Sequence, residues 1–225
     1  MTTSQASFNK LVGNPVAIDS MDDIRFSPLT VEDKIITLKA LYVIKGYTFF
    51  DGNKPYNLNI IGWRLMNRPN RFDDEIWLVY RNDKLEWQID RMTGTTKPGP
   101  VYLNAPLNPN GCAIIKEGQY RSVWVLGSHK GKPALRQQKP FIIYRDNDND
   151  ESYDLHNEQS SNNGTLHLHK MCNATVAPRV NSWSAGCQGL NNPVQYVKAF
   201  EAITKSANLY GDSFSYTLFD LVYGV

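Results

Sequence analysis

Residues 75–90 read Glu-Ile-Trp-Leu-Val-Tyr-Arg-Asn-Asp-Lys-Leu-Glu-Trp-Gln-Ile-Asp, and this stretch decides the fold class. Apolar residues of high β-propensity fill its first half, which is typical of a strand. Asn82 and Asp83 then supply a two-residue turn, which predicts a hairpin. In the return strand Leu85 and Trp87 begin an alternation with polar residues. We therefore expect one buried face and one solvated face.

Helices flank the strands near both ends of the chain. Thr30 caps a predicted helix whose apolar residues recur at helical spacing up to Gly46. Asn192 and Pro193 begin a second helix, and Gly211 lies past its end. The pattern predicts one mainly β domain with flanking helices. The remaining predicted strands lie at residues 60–66, 101–103, 121–126, 134–138, 141–144, 166–169 and 214–222, and residues 146–163 are expected to form a polar loop.

Composition narrows the function classes. The chain has 225 residues and a formal net charge of +2, so it lacks the basic field that nucleic-acid binding requires. The sequence contains no run of about 18 apolar residues, so we expect no membrane span. The first residues lack the basic and apolar regions of a secretory signal, so we expect synthesis in the cytoplasm. Three cysteines are an odd number, which leaves at least one free thiol.

The reactive side chains concentrate in one stretch. His167, His169, Cys172, Ser184 and Cys187 lie within 21 positions. Small residues on both sides of the last cysteine allow a sharp turn that brings backbone amides close to a bound carbonyl. A histidine on a neighbouring strand could take the thiol proton, because the thiolate is the nucleophile. This pattern favours a cysteine nucleophile with a histidine base.

The same residues resemble the catalytic domain of the L,D-transpeptidase family. His169 precedes Cys187 by 18 positions, and Ser184 and Gly186 occupy the matching places before the cysteine. The stretch at 93–102 is similar to an upstream Thr-Gly…Pro-Gly…aromatic element of the family. Around Cys187 the chain also resembles a divergent branch of phage-encoded peptidoglycan hydrolases. The resemblance covers residues 76–225 and implies an L,D-transpeptidase-like β-sandwich or barrel. Residues 1–75 are expected to add an arm, a helix and a first strand packed on that domain.

The resemblance implies a reaction and a set of roles. Cys187 would attack a peptide bond of a peptidoglycan stem peptide to form a thioester, with His169 as general base. Backbone amides around Gly186 would hold the oxyanion, and Ser184 would complete the catalytic loop. Substrate contacts are expected from Trp183, Ala185, Gln188 and His167, although His167 could equally support its neighbours or be exposed. No cofactor or metal is expected, and water or an amine could resolve the thioester.

Two other interpretations stay open. His167, His169, Cys172 and Cys187 together offer two imidazoles and two thiolates, a combination that zinc accepts. Alternatively, the fold could persist in an inactive structural or wall-binding protein. The family's second histidine is replaced by Ala185, and its following arginine is absent. An active enzyme would meet the cell wall after lysis, release or virion delivery, with virion or lysis-system partners.

Overall fold

The computed structural model describes residues 29–66 and 68–221. Eight strands form a closed barrel in the order β1-β11-β5-β6-β9-β10-β3-β2, and three others form a separate sheet in the order β4-β7-β8. The barrel strands are β1 (Asn59–Arg64), β2 (Asp74–Arg81), β3 (Trp87–Thr95), β5 (Gly118–His129), β6 (Lys132–Gln137), β9 (Leu168–Lys170), β10 (Gln188–Leu190) and β11 (Ser213–Asp220). The small sheet contains β4 (Cys112–Ile115), β7 (Phe141–Asp146) and β8 (Gln159–Ser161). The predicted mainly β class is confirmed, and the closed form is a barrel.

Two compact units divide the described chain. One contains residues 29–57 and 80–89, and the other contains residues 58–66, 68–79 and 90–221. The predicted domain boundary at residue 75 stays a prediction, and residues 1–28 of the expected arm lie outside the described residues.

In the described part of the chain, three helices accompany the strands: α1 (Val31–Ile44), α2 (Pro100–Asn104) and α3 (Pro193–Tyr210). The first begins with a reciprocal cap, since the Thr30 side chain accepts from the Asp33 amide and the Asp33 carboxylate accepts from the Thr30 amide. At the start of α3, the Asn192 side chain accepts from the amides of Val194 and Gln195. Within the described ranges, no helix has the length and hydropathy needed to cross a membrane.

Large buried side chains pack the barrel unit, and buried ion pairs, including that of Arg64 and Asp220, connect its strands. The rings of Trp63 and Phe219 stack with their centroids 4.8 Å apart, on two paired strands. Arg64 Nη1 lies 2.6 Å from the Asp220 carboxylate, and both side chains are almost fully buried. Arg64 Nη2 also donates to the Ile115 carbonyl of β4 at 2.8 Å. This arginine therefore ties the small sheet to the barrel.

Three local predictions are wrong for identifiable reasons. The hairpin turn spans residues 82–86, because the Asn82 side chain accepts from the amides of Lys84 and Glu86. Leu85 consequently adopts φ +64° and is exposed. Residues 101–103 are helical, because Pro100 follows Gly99 at the first position of a short helix. The helical spacing of apolar residues in α3 also predicts that Val197 faces inward, but its side chain is 53% exposed.

Candidate functional site

The short strands β9 and β10 bring the predicted nucleophile and base together. They pair in parallel, with Gln188 opposite Leu168 and Gly189 opposite His169. Leu168 and Gln188 are turned into the barrel and are almost fully buried. Side chains alternate along a strand, so Cys187 and His169 share the opposite, outer face. At this register their Cα atoms lie roughly 8 Å apart, from the usual strand spacing and rise.

Ser184 and Gly186 shape the turn that presents Cys187. The Ser184 hydroxyl donates to the Cys187 carbonyl at 2.8 Å and accepts from the Gly186 amide at 3.1 Å. Gly186 has φ +128°, and a Cβ there would lie 2.5 Å from the carbonyl oxygen of Ala113. The turn is therefore held by its own hydrogen bonds and packs directly against β4. Ser184 is fully buried and acts on the loop, away from the reacting atoms.

The expected oxyanion donors are corrected in part. Because the Gly186 amide already donates to Ser184, it is not free to bind an oxyanion. The Cys187 amide, by contrast, has no hydrogen-bond partner within residues 29–66 and 68–221. It is thus the backbone donor available next to the sulfur.

His169 is held in one tautomer. Its Nδ1 lies 2.8 Å from the carbonyl oxygen of Lys170, so Nδ1 carries the proton and Nε2 keeps its lone pair. Burial lowers the pKa of His169 to about 4, with the neighbouring His129 and His167 opposing its protonation further. At neutral pH this imidazole is therefore a neutral proton acceptor, as a general base must be.

His167 lies behind the site and has the opposite tautomer. Its Nδ1 accepts from the Gln137 amide at 3.3 Å, which leaves the proton on Nε2. Burial lowers the pKa of His167 to about 4. The side chain is 7% exposed and is absent from the pocket wall beside Cys187. His167 therefore lies where it can support its neighbours, and not at the wall that a substrate would contact.

His129 joins this cluster, although no sequence motif assigned it a role. It ends β5, and its ring centroid lies 4.6 Å from that of His169 and 5.1 Å from that of His167. Burial, followed by the charges of Lys130 and Arg136, lowers its pKa. Its local sequence signal is weak, a histidine followed by Lys130 and Gly131, which are typical of a hairpin turn. The pairing of β5 with β6 and of β6 with β9 brings His129 to the site.

The Cys187 thiol is protonated at rest. Its Sγ donates to the Thr165 carbonyl at 3.2 Å. Burial raises the pKa of Cys187 to about 11, and this outweighs a hydrogen bond from the His167 backbone and the charge of Lys130. The resting pair is consequently a neutral thiol beside a neutral imidazole. Such a pair forms its thiolate only as the proton is transferred during attack.

A pocket of about 450 Å³ opens over the thiol. Cys187 and His169 both line it, and Trp183 and Ala185 form part of its wall. The expected contacts of Trp183 and Ala185 therefore have a cavity to face. The volume is in the range of small-molecule and peptide side-chain pockets.

Gln188 is not at this pocket, contrary to its expected substrate contact. Its side chain is fully buried inside the barrel. It accepts from the Tyr216 hydroxyl at 2.9 Å and donates to the carbonyls of Thr96 and Gly186 at 3.3 Å. Gln188 therefore supports the turn from beneath.

The zinc interpretation finds no geometric support. Across the described part of the chain, no group of three or more histidine, cysteine, aspartate or glutamate residues is arranged to hold a metal ion. Cys172 is buried and lines a neighbouring pocket, while Cys187 lines the pocket described above. The four proposed ligands thus do not converge on one point.

Comparisons with protein-family models, with curated proteins and with solved structures find no match to this chain.

Proposed function

We propose that this protein is a cysteine-dependent enzyme with an L,D-transpeptidase-like catalytic barrel, acting on peptide bonds of peptidoglycan stem peptides. One observation carries the proposal. The parallel pairing of β9 and β10 places Cys187 and a tautomer-fixed His169 on one face, at the wall of one pocket. A nucleophile, a base and an orienting carbonyl are the parts that acyl transfer needs.

The first half-reaction forms a thioester. Cys187 Sγ attacks the carbonyl carbon of the scissile amide while its proton passes to His169 Nε2. The Cys187 amide donates to the developing oxyanion. The carbon–nitrogen bond then breaks, and the proton moves from His169 to the leaving amine. The Lys170 carbonyl keeps the imidazole oriented through both transfers.

The second half-reaction regenerates the thiol. Water, or an amine of a second stem peptide, attacks the thioester carbonyl and gives its proton to His169. The carbon–sulfur bond breaks, and the sulfur recovers the proton. Water yields a hydrolase and an amine yields a transpeptidase. The neutral resting pair suits both, because His169 must accept a proton at each attack.

The test is a digest of purified muropeptides followed by mass spectrometry. Wild type is compared with Cys187→Ala, His169→Ala and a matched control, Cys172→Ala, which removes a buried thiol outside the pocket. Shorter or newly cross-linked products should form with wild type and the control and be lost in the two site variants. Identical products from wild type and Cys187→Ala would refute the enzyme.

A wall-peptide-binding protein is the second candidate function. The observation that favours it is the thiol pKa of about 11, which leaves very little thiolate at neutral pH. In that case wild type and Cys187→Ala bind muropeptides with the same affinity, and neither changes them. Isothermal titration alongside the digest separates the two functions.

A further inference from the structure

The pocket above Cys187 is positively charged. Lys130 and Arg145 both line it, and its wall, as formed by the described residues, contains no aspartate or glutamate. Its histidines are neutral at pH 7, as the pKa of His169 near 4 shows for one of them. A low-dielectric concave site lined by one sign of charge concentrates ligands of the opposite sign.

Arg145 is a buried cation at the wall of this pocket. Its side chain is 92% buried, given an exposed fraction of 8%. Nη1 donates to the Gly111 carbonyl at 2.9 Å, whereas Nε is buried without a hydrogen-bond partner. No carboxylate of the described residues pairs with this guanidinium. Buried charges are costly unless paired, so a guanidinium at a pocket wall with no carboxylate partner among the described residues favours an anionic ligand.

Arg145 also lies close to the nucleophile turn. It stands directly opposite Ala113 across the β4–β7 ladder, and cross-strand partners have Cβ atoms about 5 Å apart. Ala113 Cβ lies 3.2 Å from the position that a Cβ on Gly186 would occupy. The Arg145 side chain therefore begins within about 9 Å of the residue preceding Cys187. Arg145 and Cys187 thus line the same pocket, where one bound peptide can contact both.

We propose that Arg145, assisted by Lys130, binds a carboxylate of the peptide substrate and so positions the scissile carbonyl at Cys187. Arg145 lines the pocket, and its planar guanidinium suits a carboxylate better than a point charge does. The substrate class is then a peptide with a free carboxylate near the cleaved bond. This inference rests on the proposed function for its substrate, but the anion-binding subsite can be tested without turnover.

The experiment compares two alkylating probes on the full chain. Iodoacetate is anionic and iodoacetamide is neutral, and peptide mass spectrometry reports the rate of each at Cys187. Their rate ratio cancels any change in the thiolate fraction, because both reagents react with the same thiolate. A charge lining the same pocket, partly screened by solvent, predicts that Arg145→Gln lowers the iodoacetate-to-iodoacetamide ratio by about tenfold. Arg145→Lys keeps the charge and should retain most of the ratio.

Two further variants keep the test decisive. Lys130→Met should lower the ratio by about threefold, since Lys130 lies at the more open side of the pocket, and it leaves the buried arginine in place if Arg145→Gln unfolds. Arg179→Gln removes an exposed charge outside the pocket and should leave the ratio unchanged. A ratio within twofold of wild type in folded Arg145→Gln, or in Lys130→Met if Arg145→Gln does not fold, overturns the subsite.

A second arm separates this inference from the proposed function. Matched muropeptides with a free or an amidated carboxylate are digested by wild type and by Arg145→Gln. Preference for the free carboxylate that disappears in the variant supports the subsite. Equal cleavage of both peptides by both proteins refutes the subsite and leaves the enzyme standing. No cleavage at all, with an Arg145-dependent alkylation ratio, refutes the enzyme and leaves the subsite standing.

Discussion

Replacing Gly186 with alanine tests how the nucleophile turn is seated. The backbone at Gly186 has φ +128°, where a side chain costs about 1–3 kcal/mol. The new Cβ would also lie 2.5 Å from a backbone oxygen of Ala113 and 3.2 Å from Leu166 Cδ2. Neither β4 nor the turn can move without disturbing the other, and overpacking of this kind adds about 1–3 kcal/mol. We expect Gly186→Ala to lower the free energy of unfolding by about 4 kcal/mol, which combines the two costs.

Gly164→Ala is the matched control. Gly164 also has a positive φ, +67°, but nothing lies within 4 Å of its Cβ position. Its alanine variant should lose only about 1–2 kcal/mol, the cost of the left-handed backbone. Urea unfolding followed by tryptophan fluorescence measures both values at pH 7. If the two variants differ by less than about 1 kcal/mol, the close contact with Ala113 is not what fixes the turn.

Three further predictions concern titrating groups. Alkylation of Cys187 by iodoacetamide should rise with pH toward a midpoint near 11, because burial opposes the thiolate, and a midpoint below 8 in a mass-spectrometric rate profile would contradict the neutral pair. His169→Asn should lower muropeptide turnover by about 10²–10⁴. Since the pKa of His169 is about 4 and the base must be neutral, the pH–rate profile of wild type should fall only as the pH drops through 4. Burial raises the pKa of Asp146 to about 6, so its ionisation lowers the free energy of unfolding as the pH rises from about 4 to about 6. Thermal melts should show that Asp146→Asn lacks this loss and is more stable than wild type at pH 7.

Much of the fold is legible in short-range sequence patterns. The helix after Thr30 was predictable because its cap and its stop at Gly46 are local chemistry. The turn at 82–86 was not, because one amide side chain, that of Asn82, captures two backbone donors and lengthens it. Strand β8 could not be predicted because Gln159–Ser161 is a short segment of polar residues. Only its pairing with β7 makes it a strand.

The site divides in the same way. Cys187 and His169 could be predicted because small residues flank Cys187 and because the two residues are 18 positions apart. His129 and Arg145 were missed, since neither has a local signature. Strands β5 and β7 supply them, and only long-range pairing brings those strands to the pocket. Gln188 was misplaced because the sequence does not reveal which face of β10 points into the barrel.

Near Cys187, neighbouring strands of the barrel are joined by very few paired residues. β6 meets β9 through one residue pair and β10 meets β3 through two, whereas β5 and β6 share six. Regions with few ladder bonds open at lower free energy than the core. The β6–β9 and β10–β3 pairings can therefore open briefly while the tryptophan-rich remainder of the barrel stays folded. Hydrogen exchange should be fastest along these two pairings. The Cys187 thiol, which rests protonated and partly buried, thereby becomes more accessible to large ligands without unfolding of the rest of the barrel.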